Sequence, residues 1–199
     1  MRRLKITSSV SALLMAFAFI GLRSSPCQNT ASDKEHGEVA AAWKEFADHI
    51  DQYVKLHNGV EASLPALKPT DLPEMITAHQ QALARKMREA RPRAKSGDIF
   101  SAEIREAFRH TIHNAFQGPQ GANIRATIQQ GAPLKETHVD VNKVYPDTVP
   151  YTTVPPTLLQ MFPKLPDEVA YRIVRRDLVL VDVKANLVLD VLKEIFPRI

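Results

Sequence analysis

The chain has 199 residues, 44% hydrophobic and 24% charged, with a formal net charge of +4 and one cysteine. A lone cysteine excludes an intramolecular disulfide, so the core must hold the fold. The positive excess sits in residues 1–26, where Arg2, Arg3, Lys5 and Arg23 stand without an acid; the remainder carries 22 basic and 22 acidic side chains, which removes the electrostatic case for nucleic acid.

Residues 1–26 join this basic start to an apolar run from Val10 to Leu22 and a small polar tail, the pattern of an export signal. The run is shorter than the roughly 20 residues of a membrane-spanning helix, so a cleaved signal is preferred to an uncleaved anchor. A periplasmic or secreted location is expected. Cys27 follows where a bacterial lipoprotein carries its acylated cysteine, but Pro26 suits that motif poorly and lipidation of Cys27 is the less favoured alternative. Residues 27–35 read as a flexible N-terminus.

Residues 36–133 read as a helical unit. From about Glu38 to His57, Trp43, Phe46, Ala47, Ile50, Tyr53 and Val54 recur at spacings of three and four, which predicts a first helix stopped at Asn58-Gly59. Asp71 is placed to cap a second helix, with Pro73 in its first turn and Glu74 reaching back; its buried stripe is Met75, Ile76, Ala82, Leu83 and Met87. A third helix from about Ser101 turns Ile104, Phe108, Ile112, Ala115 and Phe116 inward and ends at Gly118-Pro119. Residues 121–130 add a short fourth helix bearing Ile124 and Ile128.

The acidic start of the first helix and the basic end of the second suit their own helix dipoles and become neighbours in an antiparallel hairpin. The basic residues Arg85, Lys86, Arg88, Arg91, Arg93 and Lys95 have docking to an anionic surface as their functional alternative.

Residues 134–199 read as a proline-rich crossing plus a β-meander, sharing one core with the helices. Thr137 to Val144 alternates like a strand, and Thr157 to Phe162 forms a short helix among the prolines. Three β-rich runs follow, Tyr171 to Val174, Leu178 to Val183 and Leu187 to Val191, separated by three-residue links. With Val174 opposite Leu178 and Val183 opposite Leu187, one face collects Tyr171, Ile173, Val179, Val181, Val183, Leu187, Leu189 and Val191 for the helices. The reverse face holds Arg172, Leu180, Asp182, Val188 and Asp190, with both aspartates balanced by Arg172 on a half-exposed surface.

Four side chains on the third helix, Glu103, Glu106, His110 and His113, share a stripe, and Glu106, His110 and His113 are the candidate ligands for a divalent metal. The stripe is expected to face solvent. His57 and His79 fall on the apolar stripes of their helices and are candidate buried histidines, which an antiparallel hairpin brings near each other. No glycine-rich phosphate loop, Gly-x-Ser-x-Gly elbow or paired-cysteine motif is present, so no catalytic or cofactor-binding residue is assigned.

Two stretches carry a resemblance. One runs from Ala78-His79-Gln80-Gln81-Ala82-Leu83 to Gly97-Asp98-Ile99-Phe100. The other runs from Val154-Pro155-Pro156 through Leu165-Pro166, Tyr171-Arg172-Ile173-Val174 and Asp177-Leu178-Val179-Leu180 to Ala185-Asn186-Leu187-Val188-Leu189-Asp190. Together they resemble a family of uncharacterised exported bacterial proteins, over the whole chain after residue 26. The resemblance implies export and brings no activity and no site residue. Where Arg175 stands, the family pattern has glycine, which suits a positive φ in a hairpin turn.

The expectation is an exported α+β protein whose helical unit covers one face of an antiparallel meander. Its expected role is non-enzymatic binding or scaffolding, contacting an envelope protein or small ligand through the proline-rich crossing and the exposed sheet face. The alternative is a metal-binding protein using Glu106, His110 and His113.

Overall fold

The computed structural model describes residues 29–131, 138–146, 149–150 and 152–198. Residues 1–26, expected as an export signal, and Cys27 lie outside the described residues. Five helices precede a three-stranded antiparallel sheet: α1 (Asn29–Ala62), α2 (Pro73–Ala90), α3 (Ala102–Gln117), α4 (Gly121–Gln130), α5 (Pro156–Leu159), β1 (Val169–Val174), β2 (Asp177–Asp182) and β3 (Leu187–Leu192). This is the expected α+β arrangement.

α1 buries Ala42, Phe46, Ile50, Tyr53 and His57, one stripe at helical spacing, and packs mainly on α3. It differs from expectation at both ends. It begins at Asn29, so residues 29–35 are helical, and it runs through Asn58-Gly59 to Ala62. A glycine inside a helix costs about 1 kcal/mol relative to alanine. Here contacts beyond the helix offset that cost, because Glu61 pairs with Lys184 at 2.8 Å. The backbone then closes with Ser63 N–H donating to Val60 O and Leu64 N–H to Glu61 O.

α2 starts at Pro73 behind Leu72, without the expected Asp71 side-chain cap. Thr70 Oγ1 instead accepts from Leu72 N–H. Leu83, Ala84 and Met87 are buried, but Met75 and Ile76 are 45% and 47% exposed. The first turns of α2 project past the core, which periodicity cannot reveal. α3 is capped by Ser101, whose Oγ accepts from Ile104 N–H, and buries all five side chains expected inward. α4 buries Ile124 and Ile128. Gly121 starts it because the chain folds back so tightly that a Cβ there would lie 2.1 Å from Phe116 O.

The sheet order is β1-β2-β3. Its links are unequal: Val174 pairs with Asp177 across Arg175-Arg176, while Asp182 pairs with Leu187 across residues 183–186. A one-residue change of register turns every side chain to the other face. β2 is therefore reversed from expectation, with Leu178 and Leu180 toward the helices and Val179 and Val181 away. β3 carries a bulge, Leu180 pairing with Asp190 and Val181 with Val188, so that Leu189 is skipped. The bulge turns Asp190 toward the helices. Arg175 adopts φ 58°, the left-handed conformation that glycine takes most easily.

The helix-facing side of the sheet joins the helices in one core. Phe108 is its centre, edge-on to Trp43, Phe46, Phe100, Phe162 and Tyr171. The opposite side is not exposed. Val139, Tyr145 and Val149 cover Val174, Val179, Val181, Val188 and Val191 in a second cluster. The covering segment also fills the β3 edge, with Asn142 N–H donating to Val188 O, Val188 N–H to Lys143 O and Tyr145 N–H to Asn186 O. Over its described residues, 138–144, the expected strand over 137–144 reduces to a bridge between Val144 and Leu187, because Asn142 turns left-handed at φ 62°. The expected contact surface on an exposed sheet face is thus overturned.

Candidate functional site

Asp182 and Asp190 are both fully buried on the helix-facing side, not balanced by Arg172 on a wet face. Arg172 Nη1 donates instead to Tyr171 O. The two aspartates hold different parts of the molecule. Asp190 receives four backbone N–H groups, from Gly97, Ile99, Phe100 and Val191, at 2.7 to 3.1 Å. Its carboxylate is the template on which the α2–α3 link folds, and Gly97 meets it with φ 94°. A buried carboxylate satisfied by backbone donors is an anchor, with no acceptor position left for proton transfer.

Asp182 organises a polar cluster that crosses from β2 to α1. Its Oδ2 accepts from Tyr53 O–H at 2.5 Å and from His57 Nδ1–H at 2.6 Å, and its Oδ1 from Ala185 N–H at 2.7 Å. His57 is wholly buried, and its Nε2 lies 3.4 Å from Glu61, outside hydrogen-bond geometry. Glu61 in turn accepts from Lys184 Nζ at 2.8 and 3.1 Å. Acidic and basic groups alternate along Asp182, His57, Glu61 and Lys184.

Electrostatics follow from these distances. Burial works against the His57 charge, but the hydrogen bond and charge of Asp182, with Glu61, outweigh it and raise the pKa above 6.5. Burial and the Asp182 charge together hold the Tyr53 hydroxyl firmly protonated. Lys184 lowers the Glu61 carboxyl, and Glu61 raises the Lys184 ammonium.

The cluster supports one wall of a groove of about 780 Å³, lined among others by Glu61, Leu64, Leu67, Ile76, Val183 and Lys184. Leu67, Ile76 and Val183 are 39%, 47% and 46% exposed, and Leu72 and Met75 beside Ile76 are exposed as well. His79, Gln80 and Asn58 add polar groups to the same lining.

The sequence-expected sites fall elsewhere. His57 and His79 do not meet: His57 joins Asp182, and half-buried His79 faces the groove. His110 and Glu106 line a second groove between α1 and α3, with Glu35, Glu38, Glu45 and Glu103. There His110 Nε2 is 3.1 Å from Glu35, Glu106 pairs with Arg109 at 2.5 Å, and His113 lies outside the lining, exposed. Among the described residues, no three His, Cys, Asp or Glu side chains are grouped to hold a metal ion. Of the basic set, Arg85, Lys86, Arg88, Arg93 and Lys95 are exposed, while Arg91 lies over the Tyr53 ring at 5.3 Å and donates to Leu189 O at 3.4 Å. The acidic start of α1 meets α3, through Glu35 and His110, rather than the basic end of α2.

The Asp182 cluster was not readable as a site, since His57 and Asp182 are 125 residues apart. One signal was present: a histidine on an apolar helical stripe and an aspartate in an apolar strand each need a buried partner. Compared with protein-family models, with curated proteins and with solved structures, the chain finds no match.

Proposed function

We propose that this chain is a non-enzymatic binding module of the bacterial envelope, exported by residues 1–26, whose groove takes an apolar stretch of a partner polypeptide. The observation that carries this reading is the set of exposed large apolar side chains, Leu67, Ile76 and Val183, gathered in one groove. Apolar side chains gathered at a concave surface mark interaction sites, whereas single exposed ones need no explanation.

A polypeptide fits this lining better than a lipid chain. Asn58, His79 and Gln80 stand beside the apolar residues, and an acyl chain laid against them leaves their polar groups unpaired. A peptide brings backbone donors and acceptors for them as well as apolar side chains.

The test is selection of binding peptides from a random display library, followed by calorimetry with the wild type and with Ile76→Asp and Leu67→Asp. Both side chains are exposed, so the variants keep the fold. Enrichment of apolar peptides whose affinity falls about tenfold or more in each variant, roughly 1.4 kcal/mol, supports the reading. Equal binding to wild type and variants, or no enrichment, overturns it. Metal-dependent binding that is lost in a Glu106→Gln, His110→Gln double variant overturns it in favour of the metal alternative.

A further inference from the structure

His57 has two ring nitrogens and a carboxylate beside each: Asp182 at 2.6 Å from Nδ1 and Glu61 at 3.4 Å from Nε2. A neutral ring protonated on Nδ1 turns the Nε2 lone pair toward Glu61, and the other tautomer turns a lone pair onto Asp182. Only the imidazolium presents a positive N–H to both. The Nε2 is buried without a hydrogen-bond partner, and Glu61 is the carboxylate beside it.

The position of this ring joins it to the groove. Asn58, Glu61, Ala62 and Leu64 form the α1 wall, and Val183 and Lys184 form the sheet wall. The walls are tied by His57 to Asp182 and by Glu61 to Lys184. The last turn of α1 is also the weakest part of that helix by sequence, because Asn58-Gly59 there is a stop signal and a Cβ at Gly59 meets nothing within 4 Å.

We infer that His57 is a protonation-operated latch on the groove: the charged ring draws Glu61 and the last turn of α1 onto the cluster, and loss of the proton sets the Nε2 lone pair against Glu61 and loosens that turn while both ties to the sheet remain. The consequence for binding rests on the groove being a binding site. Release is local. Asp182 keeps Tyr53 O–H, Ala185 N–H and the Nδ1–H of the neutral ring, so the sheet end of the cluster holds. Glu61 keeps Lys184, which Glu168 also faces from the link before β1. Arg91 lies over the Tyr53 ring, and His79 faces the groove from α2. The repulsion between the Nε2 lone pair and Glu61 falls on the α1 turn alone.

The test is a pH titration of the purified, isotope-labelled protein by NMR from pH 5 to 9. It follows the His57 ring and the amide exchange of residues 58–62, corrected for the intrinsic pH dependence of exchange. The expected result is a His57 midpoint above 6.5, with exchange in residues 58–62 rising about tenfold through the same midpoint while the Ala185 amide stays protected. Glu61→Gln lowers the midpoint, and His57→Gln removes the step. A midpoint at or below 6.5, or amides of 58–62 that do not follow the His57 midpoint, overturns the latch. If His57→Gln does not fold, wild type and Glu61→Gln decide the question. Peptide affinity measured on either side of the midpoint is the separate readout of the groove: no peptide binding at any pH defeats the binding role, while the amide data still decide the latch.

Discussion

Tyr53 and His57, one turn apart on α1, converge on the same carboxylate oxygen of Asp182, at 2.5 and 2.6 Å. This convergence is what fixes the C-terminal half of α1 on the sheet. Two donors satisfy one buried oxygen, while the other takes the backbone N–H of Ala185 and so shapes the β2–β3 link. A buried carboxylate is costly unless paired, and each donor is costly without it.

Removing the carboxylate therefore costs more than removing either donor. Asp182→Ala is expected to destabilise by about 3–5 kcal/mol, the range for breaking a buried pair. Tyr53→Phe loses one hydroxyl and is expected to cost about 1–2 kcal/mol. Urea denaturation of both variants and of the double variant checks this: coupling is expected, with the double variant less destabilised than the two singles added together.

Asp190→Ala strands the N–H groups of Gly97, Ile99 and Phe100, which the carboxylate receives in the wild type. A loss of about 3–5 kcal/mol is expected, since each stranded buried donor costs about 1–3 kcal/mol. Asp190→Asn keeps an oxygen acceptor and is expected to lose less. Hydrogen exchange in residues 97–100 is expected to rise selectively in both variants; unchanged protection there defeats the anchoring role.

Stability is expected to fall as pH rises through the His57 transition. The folded pKa is raised above 6.5, so the contribution of His57 is fully present below pH 6.5 and is lost as pH climbs to the folded midpoint. Each unit of that window is worth about 1.4 kcal/mol. Urea midpoints between pH 6 and 8.5 check the sign, and His57→Gln is expected to flatten the profile. A wild-type stability rising over that range contradicts the assignment.

Two backbone positions give opposite expectations for small substitutions. Arg175→Gly is expected to stabilise by about 1 kcal/mol, because φ 58° strains a residue with a Cβ. Gly121→Ala is expected to destabilise by about 1–3 kcal/mol, since its new Cβ meets Phe116 O at 2.1 Å and the α3–α4 turn must open. Thermal denaturation resolves both, at about 2–4 °C for each kcal/mol.

The helical half was largely legible. Phe46, Ile50, Ile104, Phe108 and Ile124 are buried as their spacing requires, because 3.6-residue periodicity is a local property that packing needs and sequence displays. The sheet was legible as three β-rich runs and illegible in its faces. Equal three-residue links give the wrong register; the real links hold two and four residues, and the β3 bulge at Leu189 adds a further shift. Register depends on turn conformation and on which face finds cover, and neither is encoded in one strand.

The same division runs through the candidate site. By itself the sequence determined that His57 lies inward on α1 and that Asp182 and Asp190 stand in apolar strands. Only the tertiary structure decided that His57 and Asp182 are partners, that Asp190 anchors the α2–α3 link, and that Ile76 and Val183 are left exposed at a groove. Those outcomes join residues 90 or more positions apart, and such contacts follow from how preformed helices and strands share a core, which local pattern does not contain.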